Sequence, residues 1–162
     1  MARHAGPTLG HILEALTNYR PTDKEPAVSS FVVDSREAGR NSVFIAFQGE
    51  KVDGHDYVAD AFARGAMVAL VQHPPAGDWA TIDVRAGEVR FPDRLPVCIL
   101  VDDTMHALQQ IARNWRAKFD VRVIGITGSV GKTSTKELAA AVLSQRYRTL
   151  KNPGNQNNEI GL

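Results

Sequence analysis

Apolar positions recur along this chain at two spacings, and their alternation predicts an α/β fold. Leu9, Ile12, Leu13 and Leu16 fall on one helical face, and Thr8 stands where it can cap that helix. A polar, proline-bounded break spans residues 21–26. Two short strands are expected at residues 30–33 and 42–47, separated by the turn-like EAGRN. Residues 57–64 read as a helix that Gly65 ends, and residues 67–71 as the next strand. Residues 74–96 hold several prolines and glycines, with weak strand character around Ile82 and Val84.

A second unit is expected from about Pro96, dividing the chain into 1–95 and 96–162. Residues 97–101 read as a short strand or a linker. Asp103 or Thr104 can cap a helix carrying Leu108, Ile111, Ala112 and Trp115 on one face, with Phe119 and Asp120 at its end. The β-branched run Val121, Val123, Ile124 and Ile126 predicts a buried strand. It leads into a glycine-bearing loop and then a helix, with Leu138, Val142 and the alanines on the expected packed face. Residues 147–150 read as one further strand, followed by the Asn-rich NPGNQNNEIGL.

Strand, loop and helix around GSVGKTS form a place for a polyphosphate, because free backbone N–H groups and the helix dipole both favour negative charge there. Gly128 and Gly131 allow close approach or positive φ. Lys132 would add a point charge near the β- and γ-phosphates, and the Thr133 hydroxyl a ligand for Mg²⁺. The general phosphate-loop pattern asks for a glycine where Ile126 stands, so only the G-x-x-G-K-T core is met. The chain is therefore expected to handle ATP.

Composition narrows the classes. The formal net charge of +1 over 162 residues argues against a nucleic-acid-binding surface. No apolar run reaches membrane-span length, and the N-terminus lacks the apolar core of a signal peptide. The single Cys98 lies in an apolar run, suiting a buried thiol in a reducing, cytoplasmic setting. The five histidines show no paired metal-ligand spacing, which gives no case for zinc.

ITGSVGKTSTKE followed by NPGNQNNEIGL resembles the ATP-binding opening of the Mur ligases. VDSREAGRNSVFIAFQGEKVDGHDYVADAFARGA is similar to the D-S-R, F-x-A-x-x-G, D-G-H and G-A pattern of that family's nucleotide-sugar domain. Within the family, the T-K-E and N-N-E-I-G elements favour the dipeptide-adding member, and the diamino-acid-adding ligase is the nearest alternative. The resemblance implies a small α/β nucleotide-sugar domain, then the opening of a P-loop ATP-binding domain that is truncated at Leu162. It implies ATP and Mg²⁺ as cofactors and UDP-MurNAc-tripeptide as the bound partner. D-alanyl-D-alanine would be held by a C-terminal domain beyond this chain, so the chain alone is not expected to complete a ligation.

By the same resemblance, Gly128, Ser129, Val130, Gly131, Lys132, Thr133 and Ser134 contact ATP, with Lys132 catalytic and Thr133 on the metal. Ser35 and Arg36 are candidate contacts to the UDP moiety; the alternative pairs Arg36 with Asp34 or Glu37 at the surface. Asn155 and Asn158 are candidate substrate contacts, against a plain turn. Gly49, Asp53, Gly54 and His55 form a turn that would line the first-domain pocket. Lys136 and Glu137 read either as neighbours of the phosphates or as solvated helix residues. Three other classes stay open: an ordinary P-loop kinase or GTPase, a non-catalytic UDP-binding module, and a fragment without function.

Overall fold

A computed structural model describes residues 6–49, 52–87 and 89–152. The chain divides into two compact units, Met1–Phe119 and Asp120–Leu162. The first unit carries α1 (Leu9–Leu16), β1 (Phe31–Val32), β2 (Val43–Ile45), α2 (Val58–Ala63), β3 (Val68–Val71), β4 (Ala80–Asp83), β5 (Val97–Leu100) and α3 (Thr104–Ala117). The second carries α4 (Lys132–Ser144).

The five strands form one parallel sheet in the order β1-β2-β3-β5-β4. Parallel neighbours need crossovers, and a sheet covered on both faces must be apolar throughout; every residue of β2, β3 and β5 is buried. Side chains alternate between the faces. Val43, Ile45, Val68, Leu70, Val97 and Ile99 pack with Leu9, Ile12 and Leu13 of α1 and with Ala107 and Ile111 of α3. Phe44, Ala69, Val71, Cys98 and Leu100 pack with Val58, Ala61 and Phe62 of α2. The predicted α/β class is thus observed, with helices on both faces of the sheet.

The helices begin where the sequence provides caps. The Thr8 hydroxyl accepts from the His11 N–H, while the Thr8 N–H donates to His11 Nδ1 at 3.1 Å, closing a capping box around α1. Asp103 caps α3 by accepting from His106 N–H at 2.6 Å. On α3 the buried residues are Thr104, Ala107 and Ile111, so Ala107 takes the place expected of Ala112, which is exposed.

Three expectations are corrected. The boundary expected at 95/96 lies instead between Phe119 and Asp120. Its cause is β5, which pairs with β3 on one side and β4 on the other and cannot leave the first unit without dividing its sheet. Residues 121–126 and 147–150 are not strands, because a strand requires a ladder partner and none is present for them among the described residues. Accordingly Val121, Val123 and Ile124 are exposed. Leu138 and Val142 are exposed as well, and no described residue of α4 is buried, so its expected packed face is uncovered within this unit.

Candidate functional site

In a parallel α/β sheet the loops at the carboxyl ends of the strands collect the chemistry. Here that end gathers Asp34, Ser35 and Arg36 after β1, the loop from Phe47 to His55 after β2, Gln72 and His73 after β3, and Asp102 to Thr104 after β5.

After β1 the chain enters a short 3-10 turn, Ser35–Glu37, capped by Asp34. The Asp34 carboxylate accepts from the Arg36 backbone N–H at 2.9 Å and from its guanidinium Nε at 2.9 Å and Nη2 at 2.5 Å. Arg36 holds the Asp34 carboxyl down at about 2. The Arg36 side chain remains 79% exposed, so the fork with Asp34 leaves much of the guanidinium facing solvent. Ser35 is buried, and together with Arg64 its side chain helps hold the Asp60 carboxyl of α2 below the usual range. Asp60 also accepts from Arg64 Nε at 3.0 Å. Asp60 and Arg64 carried no mark in the sequence, because an i,i+4 ion pair on a helix is ordinary surface chemistry.

The loop after β2 folds back on itself. Gln48 and Asp53 form an antiparallel bridge, Gly49 N–H donates to Val52 at 2.9 Å, and Gly54 N–H donates to Phe47 at 2.8 Å. Gly54 is obligatory for close approach, since a Cβ there would lie 2.7 Å from the Phe47 carbonyl oxygen. His55 is buried, its ring bonded through Nδ1 to Asp53 Oδ1 at 2.5 Å, while Nε2 faces the Gln72 N–H at 2.8 Å. A backbone N–H can only donate, so Nε2 carries the lone pair and Nδ1 the proton. The backbone N–H and ring of His55 together hold the Asp53 carboxyl below its usual range.

His73 stacks on His55 with centroids 3.8 Å apart, and its Nε2 lies 3.4 Å from Asp53 Oδ2. Asp53, His55 and His73 bring three ligand-type atoms within 4.8 Å. Both nitrogens of His55 are already committed, and coordination through Nδ1 would turn Nε2 into a donor facing the Gln72 N–H. The donor set therefore does not suit a metal ion. Sequence reading passed over His73; the usable sign was its place directly after a predicted parallel strand.

In the second unit, Gly131 caps α4 from the left-handed region at φ 81°, and Gly128 has φ 148°. The N-cap Gly131 offers no side-chain cap to α4, and its first turn holds no acidic residue. The Lys132 ammonium donates back to the Gly128 carbonyl, folding the side chain over the loop. Val130 stands 94% exposed at the loop crest, with Ser129, Thr133 and Ser134 also exposed. Lys136 is turned elsewhere, donating to the Asn152 carbonyl at 2.9 Å. Glu137 bonds Lys151, which draws its carboxyl below the usual value. Asn155 and Asn158 lie outside the described residues.

Residues 28–116 match the family model described as the Mur ligase family, catalytic domain, and residues 126–162 match the Mur ligase middle domain. The chain belongs to the Mur ligase family. Among Mur ligases it is 43% identical over 132 residues to UDP-N-acetylmuramoyl-tripeptide--D-alanyl-D-alanine ligase of Treponema pallidum, covering 80% of this chain and 27% of that protein. A crystal structure of MurF from Acinetobacter baumannii superposes with a TM-score of 0.74 at 32% identity, over 97% of this chain and 32% of the other. The MurF ligase of Thermotoga maritima, solved in complex with ADP, gives 0.63 at 32% identity over 82% of this chain and 27% of that one. The chain thus spans about a quarter to a third of the length of the Mur ligases it matches.

Proposed function

We propose that this chain carries the nucleotide-sugar-docking unit and the phosphate-binding loop of a cytoplasmic ATP-dependent peptide ligase. That ligase joins D-alanyl-D-alanine to UDP-MurNAc-tripeptide in peptidoglycan precursor synthesis. The supporting observation is the 43% identity, over 80% of this chain, to a relative named for that reaction.

In the proposed reaction a carboxylate oxygen of the tripeptide attacks the γ-phosphorus of ATP, and ADP leaves. The amine of D-alanyl-D-alanine then attacks the acyl carbon of the resulting acyl phosphate, releasing phosphate and a proton as the amide forms. Phosphoryl transfer is catalysed chiefly by positioning and charge neutralisation. The loop suits that work: Gly128 and Gly131 free the backbone for close approach, and the loop leads straight into the N-terminus of α4, whose dipole favours negative charge. Ser129, Val130 and Ser134 complete the phosphate cradle. Lys132, released from the Gly128 carbonyl, would follow charge on the transferred group.

Thr133 in the first turn of α4 fits the position of a Mg²⁺ ligand, the oxygen donor that this hard cation prefers. When bound, Mg²⁺ would neutralise phosphate charge. In the first unit, Arg36 presents its guanidinium to the diphosphate, the buried Ser35 beside it belongs to the same docking turn, and Asp34 fixes the Arg36 fork. Asn155 and Asn158 would add amide contacts to substrate.

Calorimetric titration of the chain with UDP-MurNAc-tripeptide, and in parallel with ADP–Mg²⁺, tests this reading. Saturable binding of the nucleotide sugar is expected to survive Lys132→Ala and weaken in Arg36→Ala. A folded chain that ignores the nucleotide sugar would overturn the docking role. Amide formation is not expected from this chain alone.

A further inference from the structure

On α4 the half-covered residues are Lys132, Lys136, Ala139, Ala140 and Leu143, which fall on one helical stripe. Leu138 and Val142 lie off it and are exposed. The stripe therefore marks the face that α4 turns toward the chain on either side of it. Both of its lysines end on backbone carbonyls there: Lys132 on Gly128, ahead of the helix, and Lys136 on Asn152, beyond it.

The path of the chain accounts for the second of these bonds. α4 closes as the Tyr147 N–H donates to the Leu143 carbonyl at 2.9 Å. Lys136 stands seven residues before Leu143, about 10 Å along the axis. The five residue steps from Tyr147 to Asn152 can span about 17 Å, so the chain returns along α4 in one pass. Two bonds fasten the end of that return. The Lys136 ammonium donates to the Asn152 carbonyl at 2.9 Å, and the Lys151 ammonium pairs with the Glu137 carboxylate. Lys136 Nζ lies 3.8 Å from the same carboxylate, which braces it. The Lys136 side chain is 21% exposed against 46% for Glu137, so its bond is the better shielded from water. This fastening sits one helical turn, about 6 Å along the axis, from Lys132 and the phosphate loop.

We propose that Lys136, braced by Glu137, is a positioning residue that clamps the return segment to α4 and fixes the point from which the asparagine-rich run starts. This rests on the substrate contacts proposed above for Asn155 and Asn158. An amide contact made from an anchored start costs less conformational entropy than one made from a loose chain. Lys136 thus acts through the chain it holds, where Lys132 acts on the phosphates.

The test titrates the full chain and its variants with UDP-MurNAc-tripeptide and with ADP–Mg²⁺. Asn155→Ala sets the loss that the run itself causes. Lys136→Met keeps the apolar stem and removes the ammonium. It is expected to weaken nucleotide-sugar binding about threefold to tenfold, the range of one hydrogen bond, and to leave ADP–Mg²⁺ binding within about threefold. Amide exchange over residues 149–152 should speed up in the same variant. Lys136→Arg keeps a donor and should restore both affinity and protection. The double variant Lys136→Met with Asn155→Ala should bind no more weakly than the weaker single variant, because both act through one segment. Should Lys136→Met fail to fold, Glu137→Lys and Lys151→Glu read the clamp instead: each alone should speed exchange over residues 149–152, and the pair together should restore it. Unchanged nucleotide-sugar affinity in Lys136→Met or in Asn155→Ala, losses that add in the double variant, or an ADP–Mg²⁺ loss equal to that of Lys132→Ala would overturn the positioning role and leave the docking role of the first unit standing. Exchange unchanged in both charge-reversal variants would do the same. No nucleotide-sugar binding by the unchanged chain would overturn both.

Discussion

Asp34 grips Arg36 through two guanidinium nitrogens as well as the backbone N–H, so one carboxylate fixes both the turn and its cation. The fork fixes the sign of its pH response. Asp34 has a folded value of about 2 against an ordinary value of 3.8, so its contribution is fully present above pH 4 and is lost as pH falls through about 2. An NMR titration of the Asp34 carboxyl should show a midpoint near 2, and Arg36→Ala should return it toward 3.8. A midpoint unmoved by that variant would mean that the fork does not hold in solution.

Gly54→Ala and Gly39→Ala make a matched pair. The first would set a Cβ against Phe47 backbone at 2.7 Å and 2.8 Å, the second meets nothing within 4 Å. Thermal melts should show a loss of about 2–4 kcal/mol for Gly54→Ala and a change within about 0.5 kcal/mol for Gly39→Ala.

Lys132 and Lys136 lie one helical turn apart yet hold different partners, the Gly128 and Asn152 carbonyls. Lys132→Ala should weaken ADP–Mg²⁺ binding by about tenfold to a hundredfold, as expected for a charge-assisted contact. Lys136→Ala should change it less than about threefold by the same titration. Equal losses would place both ammonium groups at the phosphates.

Cys98 is buried in β5, and burial pushes its thiol up to about 11. At pH 8 only about one thiol in a thousand is then ionised. A chromogenic disulfide reagent should label the folded chain slowly and the denaturant-unfolded chain at once. Rapid labelling under native conditions would show that β5 opens.

Much of this architecture is legible from single residues. Thr8 and Asp103 stand at the starts of α1 and α3, and the apolar runs at Val43 and Val68 mark strands, because caps and period are local properties. What escaped depends on neighbours. Residues 97–101 read as strand or linker, since four buried apolar residues do not say which sheet they enter. Residues 121–126 have strand composition without a ladder among the described residues, and composition cannot supply one. Ser35 carried a ligand-like motif, yet the turn after β1 buries it. The D-G-H motif read as a turn, and nothing local announced that its histidine would bridge to Gln72 across the sheet.

The order β1-β2-β3-β5-β4 also governs when this chain can become a protein at all. As it leaves a ribosome, β4 emerges before β5, its one sheet partner among the described residues. The five-stranded sheet closes only when Val97–Leu100 enters between β3 and β4, a long-range pairing of the kind that slows folding. Until then β3 shows an open, apolar edge to every other nascent chain nearby.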